Sequence, residues 1–188
     1  TFTTDSASSG NNDGGGGGGG DDDTTDETTD EDTRTKNWSE VDKWEIIKLS
    51  INNHEYGINY IEINTSQNAS DVEISVTKFD EMPSTIKANL TEDVYVYLLI
   101  NVEGLENKIK EAKVVLKLIN SWLEDRNLSD DDIAMFKYDS EGKEWKRQVT
   151  EHSNSGTLYE YYDVYLSSFS YFAISLRNST SEAFEEEI

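Results

Sequence analysis

The chain has no cysteine, one proline and two histidines among 188 residues. The missing thiols exclude disulfides, thiol nucleophiles and Cys-ligated zinc or iron–sulfur sites. Bases are also scarce. Sixteen Lys and Arg stand against 39 Asp and Glu, giving a formal net charge of −23 and a pI near 4.2. That balance repels nucleic-acid phosphates and offers no basic patch to hold them, so no nucleic-acid partner is expected. No run of 18 apolar residues occurs, so no membrane-spanning helix is expected either. Catalytic signatures are absent as well. His54 and His152 have no metalloprotease spacing around them, and each reads as a surface-loop histidine. There is no G-x-S-x-G turn, and the glycine run lacks the Lys-Ser/Thr that completes a phosphate cradle. A glycosidase needs two carboxylates on one groove, but 39 acids make such pairs inevitable, so a hydrolase is the weakest of the readings. The expectation is that the chain is not an enzyme. It begins at Thr1 with neither an initiator Met nor a signal peptide, and so reads as a processed product.

What is present changes character near residue 36. Residues 1–36 hold the unbroken run Gly14 to Gly20 followed by an Asp/Thr/Glu stretch to Asp32, with 10 acids against 2 bases. Phe2 is the only aromatic there, and Val, Ile, Leu and Met are missing. Such a segment cannot bury enough apolar surface to offset its ordering entropy, and it reads as a flexible acidic linker. Residues 37–178 carry the folded domain, and 179–188 read as a second short acidic tail ending Glu185-Glu186-Glu187-Ile188.

Within the domain the apolar residues alternate at the strand period. Val72, Ile74 and Val76 do so, as do Val94, Val96, Leu98 and Ile100. Ala112, Val114, Leu116 and Leu118 follow, then Phe172, Ile174 and Leu176. Further candidate strands are 43–51, 56–64, 132–138, 143–150 and 157–166, making about nine in all. Asn120 to Asn127 reads as one short helix, and Asp139 to Gly142 and Asn154 to Gly156 as hairpin turns. The pattern predicts an all-β antiparallel sandwich.

Four segments resemble the archaeal PGF-pre-PGF domain family. Val94 to Ile100 is similar to its "vYxYLxI" strand, and Ala112 to Leu116 leads into Ser121-Trp122 like its strand ending in "SW". Ile133 to Tyr138 with Trp145 and Thr150 is similar to its hairpin, and Ser168 to Ile174 to its closing "GFSxFAI" strand. The likeness runs from about Trp44 to Ile174. The chain departs from the pattern in having Ser167-Ser168 where Pro-Gly is usual, Lys137 where Arg is usual, and Gln148-Val149 where a leucine is frequent. The resemblance implies an extracellular archaeal cell-surface protein whose partners are copies of itself or other surface proteins, with a C-terminal anchor that was either removed after Ile188 or never present. It carries no catalytic residues.

Six N-x-S/T sequons stand at Asn37, Asn64, Asn68, Asn89, Asn127 and Asn178, where chance among 15 Asn and 36 Ser plus Thr predicts about 3. N-linked glycans are therefore expected. No cofactor is expected. Ca²⁺ is the one metal whose oxygen ligands are plentiful, with Asp130-Asp131-Asp132 the better candidate, although an acidic cap at a strand start is the simpler account. Tyr95, Tyr97, Tyr159, Tyr161, Tyr162, Tyr165, Tyr171 and Phe172 are expected to be half core and half cross-strand pairs. Were they instead an exposed row, they would suit sugar rings or another subunit. Trp44, Trp122 and Trp145 are expected as core anchors. The leading function is a glycosylated structural subunit of a surface layer or filament, and the alternative is an adhesin-like module that binds glycans or Ca²⁺.

Overall fold

The computed structural model describes residues 32–183 and, by backbone alone, residues 27–30. Most of the expected linker and the last part of the expected acidic tail lie outside the described residues. The fold is all-β and antiparallel, as the alternation predicts. Among the described residues there are fourteen strands, one short α-helix and two single 3-10 turns.

Seven strands form one sheet in the order β1-β2-β5-β7-β13-β9-β10, where β1 is Glu27–Asp30, β2 Thr33–Val41, β5 Ala69–Phe79, β7 Val94–Glu103, β9 Ile133–Asp139, β10 Glu144–Arg147 and β13 Tyr171–Leu176. Five form a second sheet in the order β11-β12-β8-β4-β3, where β3 is Ile46–Asn53, β4 Ile58–Thr65, β8 Ile109–Ile119, β11 Thr150–Ser155 and β12 Tyr159–Leu166. A small third sheet pairs β6 (Ala88–Leu90) with β14 (Ser181–Ala183). The helix α1, Asn120–Glu124, follows β8 directly.

The two large sheets share one core. Ile47, Leu49, Ile61, Ile63, Val114, Leu116, Tyr162 and Val164 come from the five-stranded sheet, and Val72, Ile74, Val76, Leu98, Ile133, Met135, Phe172 and Ile174 from the seven-stranded one. Every one of these sits at alternate positions along its strand, which is the sandwich rule. β9 and β13 go further: Ala134, Phe136 and Tyr138, with Ala173, face the opposite way into a second cluster closed by Ile86, Ala88, Leu90 and Trp145. Both faces of these strands are covered, which is why Ile133-Ala134-Met135-Phe136 is a continuous apolar run.

The structure corrects the sequence reading in five places. There are fourteen described strands where about nine were expected, because short edge and third-sheet strands carry no apolar alternation. β2 begins at Thr33, inside the segment read as linker, with Thr33, Arg34, Thr35 and Lys36 opposite Thr77, Val76, Ser75 and Ile74 of β5. This polar stretch is laddered on both sides, to β1 and to β5, and backbone pairing of that kind needs no apolar face of its own. β14 likewise falls inside 179–188, its Ser181 opposite Leu90. The single candidate strand 143–150 is two strands in two sheets. The chain crosses between them where Gln148 N–H donates to the Met135 carbonyl (2.8 Å) and Met135 N–H to Thr150 Oγ1 (3.0 Å), leaving Val149 72% exposed. Trp44 is 56% exposed and not a core anchor. It sits in a turn closed by Glu45 N–H to Asp42 O (3.1 Å), which delays the start of β3 to Ile46. Of the other two, Trp145 is buried and Trp122 packs half-buried against the main core.

Candidate functional site

The six sequons separate by their surroundings. Asn68, Asn89, Asn127 and Asn178 are exposed, whereas Asn37 in β2 and Asn64 in β4 are half-buried. Asn64 Oδ1 is buried without a hydrogen-bond partner, and its sequon hydroxyl, Ser66 Oγ, is engaged with Lys108 O at 2.9 Å. Asn68 Oδ1 accepts from Lys43 N–H at 3.0 Å. Asn127 follows α1 with φ +54°, and Asn178 lies in the turn before β14. The sequons of Asn89 and Asn178 meet in the third sheet: Thr180 N–H donates to Thr91 Oγ1 at 2.9 Å, and the two hydroxyls are 3.4 Å apart. Two sequons far apart in sequence are thus brought together beside one small sheet. No sequence signal marks that pairing, because β6 and β14 are each three residues long.

The candidate chemical groups are drawn into the scaffold. His152 is half-buried on β11, its Nε2 2.7 Å from Glu160 Oε2 and its Nδ1 3.4 Å from Asp130 Oδ2. Ser155 Oγ also reaches Nε2, at 3.3 Å. Together these contacts tie β11, β12 and the 3-10 turn 130–132 to one another. His54 stacks at 5.8 Å on Tyr159. Asp132 accepts from Ser129 N–H (2.7 Å) and Ser129 Oγ (2.8 Å), which closes the acidic turn as a cap and holds the Asp132 carboxyl below its ordinary pKa. Among the described residues no three His, Asp or Glu side chains converge as a metal site. No helix there is long and apolar enough to cross a membrane.

The aromatics divide as expected in part: Tyr162 and Phe172 are fully buried, and Tyr95, Tyr97 and Tyr171 are half-buried. The remainder gather on the outer face of the five-stranded sheet. Tyr162, Val164 and Leu166 of β12 point into the core, so Tyr159, Tyr161, Asp163 and Tyr165 point outward. Beside them β8 presents Lys113, Val115 and Lys117, and β4 presents Tyr60 and Glu62. Register sets Val115 between Tyr60 and Asp163, and Lys113 between Glu62 and Tyr165. Lysine ammoniums lie over the rings, Lys48 at 3.4 Å from the Tyr60 centroid and Lys117 at 4.2 Å from that of Tyr159. Lys113 Nζ is 2.6 Å from Asp163 Oδ2. Tyr60 was not singled out in the sequence, and its alternation with Ile61 and Ile63 is the signal that could have found it.

Comparison of the chain with protein-family models and with curated proteins finds no match.

Proposed function

We propose that this chain is a non-catalytic structural module of an archaeal cell surface, glycosylated on exposed asparagines and working within a layer or filament. The observation that carries the reading is where the described chain enters and leaves. It starts on β1, at one edge of the seven-stranded sheet, and ends on β14, which packs beside β10 at the other edge. Six strand spacings of about 4.8 Å separate the edges by roughly 29 Å. A load applied through these two strands would cross the width of the sheet, which suits a load-bearing or spacing element. Pull is then taken across backbone ladders.

Two further facts support it. The four segments that resemble the PGF-pre-PGF family coincide with β7, β8 and the start of α1, the β9–β10 hairpin, and β13. Of these, β7, β13, β9 and β10 are consecutive in the seven-stranded sheet. The exposed sequons also lie at turns or on the small third sheet, away from the shared core.

Glycopeptide mapping and electron microscopy of protein taken from its native cells test the reading. Ordered lattices or filaments, with sugar on Asn68, Asn89, Asn127 or Asn178 and none on Asn64, are the expected result. Dispersed particles with unmodified asparagines would overturn it.

A further inference from the structure

We infer that the outer face of the five-stranded sheet is a carbohydrate-binding surface for neutral oligosaccharides, centred on an open recess between Tyr60 and Tyr161. The recess is about 400 Å³ and its lining includes Tyr60, Tyr161, Val115, Lys113, Asp163 and Asn154. That volume is in the range of small-molecule sites.

The composition matches one ligand class. A pyranose has an apolar C–H face and a rim of hydroxyls that each donate and accept. Tyr60 and Tyr161, both half-buried, supply flat apolar rings from strands on either side of β8. Val115 is 4% exposed and closes the space between them. The polar groups stand in donor–acceptor pairs: Lys113 Nζ beside Asp163 Oδ2 at 2.6 Å fits two vicinal hydroxyls, one accepting and one donating. Because that ammonium is already matched by a carboxylate, the recess is locally neutral, and this favours an uncharged ligand over an acidic one.

Other occupants fit less well. A peptide strand adds to the backbone of a sheet edge, whereas this recess lies on the face of the sheet over β4, β8 and β12, all paired on both sides, and meets the edge strand β11 only at Ser153 and Asn154. An apolar partner would have to cover Lys113, Asp163 and Asn154 in the recess itself without hydrogen bonds for them. The row also extends beyond one sugar, since Tyr165 is 51% exposed next to Lys113, whose ammonium lies 5.9 Å from that ring. A chain of linked residues could therefore run across the strands.

The inference is independent of assembly and glycosylation. The test is titration of the ¹⁵N-labelled protein with cellotetraose, mannotetraose and chitotetraose, followed by NMR. Saturable shifts of the Tyr60, Val115 and Tyr161 amides with at least one of them are expected. Tyr161→Ala and Tyr60→Ala should weaken binding at least about tenfold, while Tyr161→Phe, which keeps the stacking ring, should stay within about threefold. Asp163→Asn should weaken it without moving the melting temperature by more than a surface substitution does. Both tyrosines are partly exposed, so their truncation leaves the core intact, and thermal unfolding checks this. Absence of shifts at these amides with all three sugars, or shifts undiminished in Tyr161→Ala, overturns the inference.

Discussion

Trp145 on β10 donates its indole N–H to the main-chain carbonyl of Ala88 on β6 at 2.8 Å. The bond ties an edge of the seven-stranded sheet to the third sheet, which carries the sequons of Asn89 and Asn178. The same ring packs on Tyr97 and Tyr138 at 6.0 and 5.3 Å. Trp145→Phe keeps most of that packing and loses the bond, so a cost of about 1–2 kcal/mol is expected. Trp145→Ala leaves a cavity in the second cluster and should cost about 3–5 kcal/mol. Denaturant unfolding of both variants measures the difference, and equal costs would contradict a packing role for the ring.

Tyr95 and Tyr162 should respond in opposite senses to loss of the hydroxyl. Tyr95 donates its hydroxyl proton to the His54 carbonyl at 2.8 Å, so Tyr95→Phe should destabilise by about 1 kcal/mol. Tyr162 is fully buried and its hydroxyl has no hydrogen-bond partner among the described residues. Tyr162→Phe should therefore be neutral or stabilise by about 1 kcal/mol, read as a midpoint shift in urea.

The same residue makes a pH prediction. Burial first, then the nearby carboxylates of Glu160, Asp130 and Asp131, push the Tyr162 hydroxyl well above its ordinary pKa. A folded pKa above the unfolded one means the unfolded chain loses its proton first. The contribution is fully present below about pH 10 and is lost as pH rises beyond it. Tyr95 and Tyr97 are raised by burial in the same direction. Stability should decline above about pH 10, and the decline should be shallower in Tyr162→Phe, measured by unfolding at a series of alkaline pH values.

The parity of each long strand was legible from alternation alone: Val72, Ile74 and Val76 face the core as read. Partners were not legible, because alternation states which face a residue joins and not which strand lies beside it. Tyr60 and Tyr161 share a recess only because β8 separates their strands. The His152 cluster was invisible for a similar reason, since Asp130 and Glu160 come from a turn and a neighbouring strand. Thr33 to Lys36 looked like linker because it is polar. Its ladder to β5 and the Arg34 guanidinium 5.3 Å from the Tyr56 ring centroid are tertiary facts.

Trp44 holds φ at +71°, a conformation that costs an L-residue about 1–2 kcal/mol, while its side chain is more than half exposed. Lys43 and Lys110 lie 4.8 and 5.1 Å from its ring, and exposed contacts of this kind return about 0.5–1 kcal/mol each. Trp44→Gly removes both the strain and the contacts, so a melting temperature within a few degrees of the parent is expected. A large loss would mean that the ring packs more firmly than its exposure indicates.

Gly57 and Gly104 both have positive φ, at +63° and +77°, yet their alanine variants should differ in how they can be relieved. A Cβ on Gly104 would stand 2.7 Å from the Asp71 carbonyl oxygen and 3.1 Å from that of Ser70, both main-chain atoms of the β5 ladder. Ser70 is paired with Glu40 of β2 and Asp71 holds a positive φ of +52°, so neither carbonyl shifts without disturbing β5, and Gly104→Ala should cost about 2–4 kcal/mol. A Cβ on Gly57 would stand 2.5 Å from Ile174 Cδ1, the far end of a side chain. Ile174→Val removes that methyl and alone should cost about 1 kcal/mol. Combined with Gly57→Ala it should cost less than the two single substitutions together, because the clash no longer exists. Paired with Gly104→Ala it should simply add. A cycle showing no coupling at Gly57 would mean that backbone conformation alone, about 1 kcal/mol, sets the requirement for glycine there.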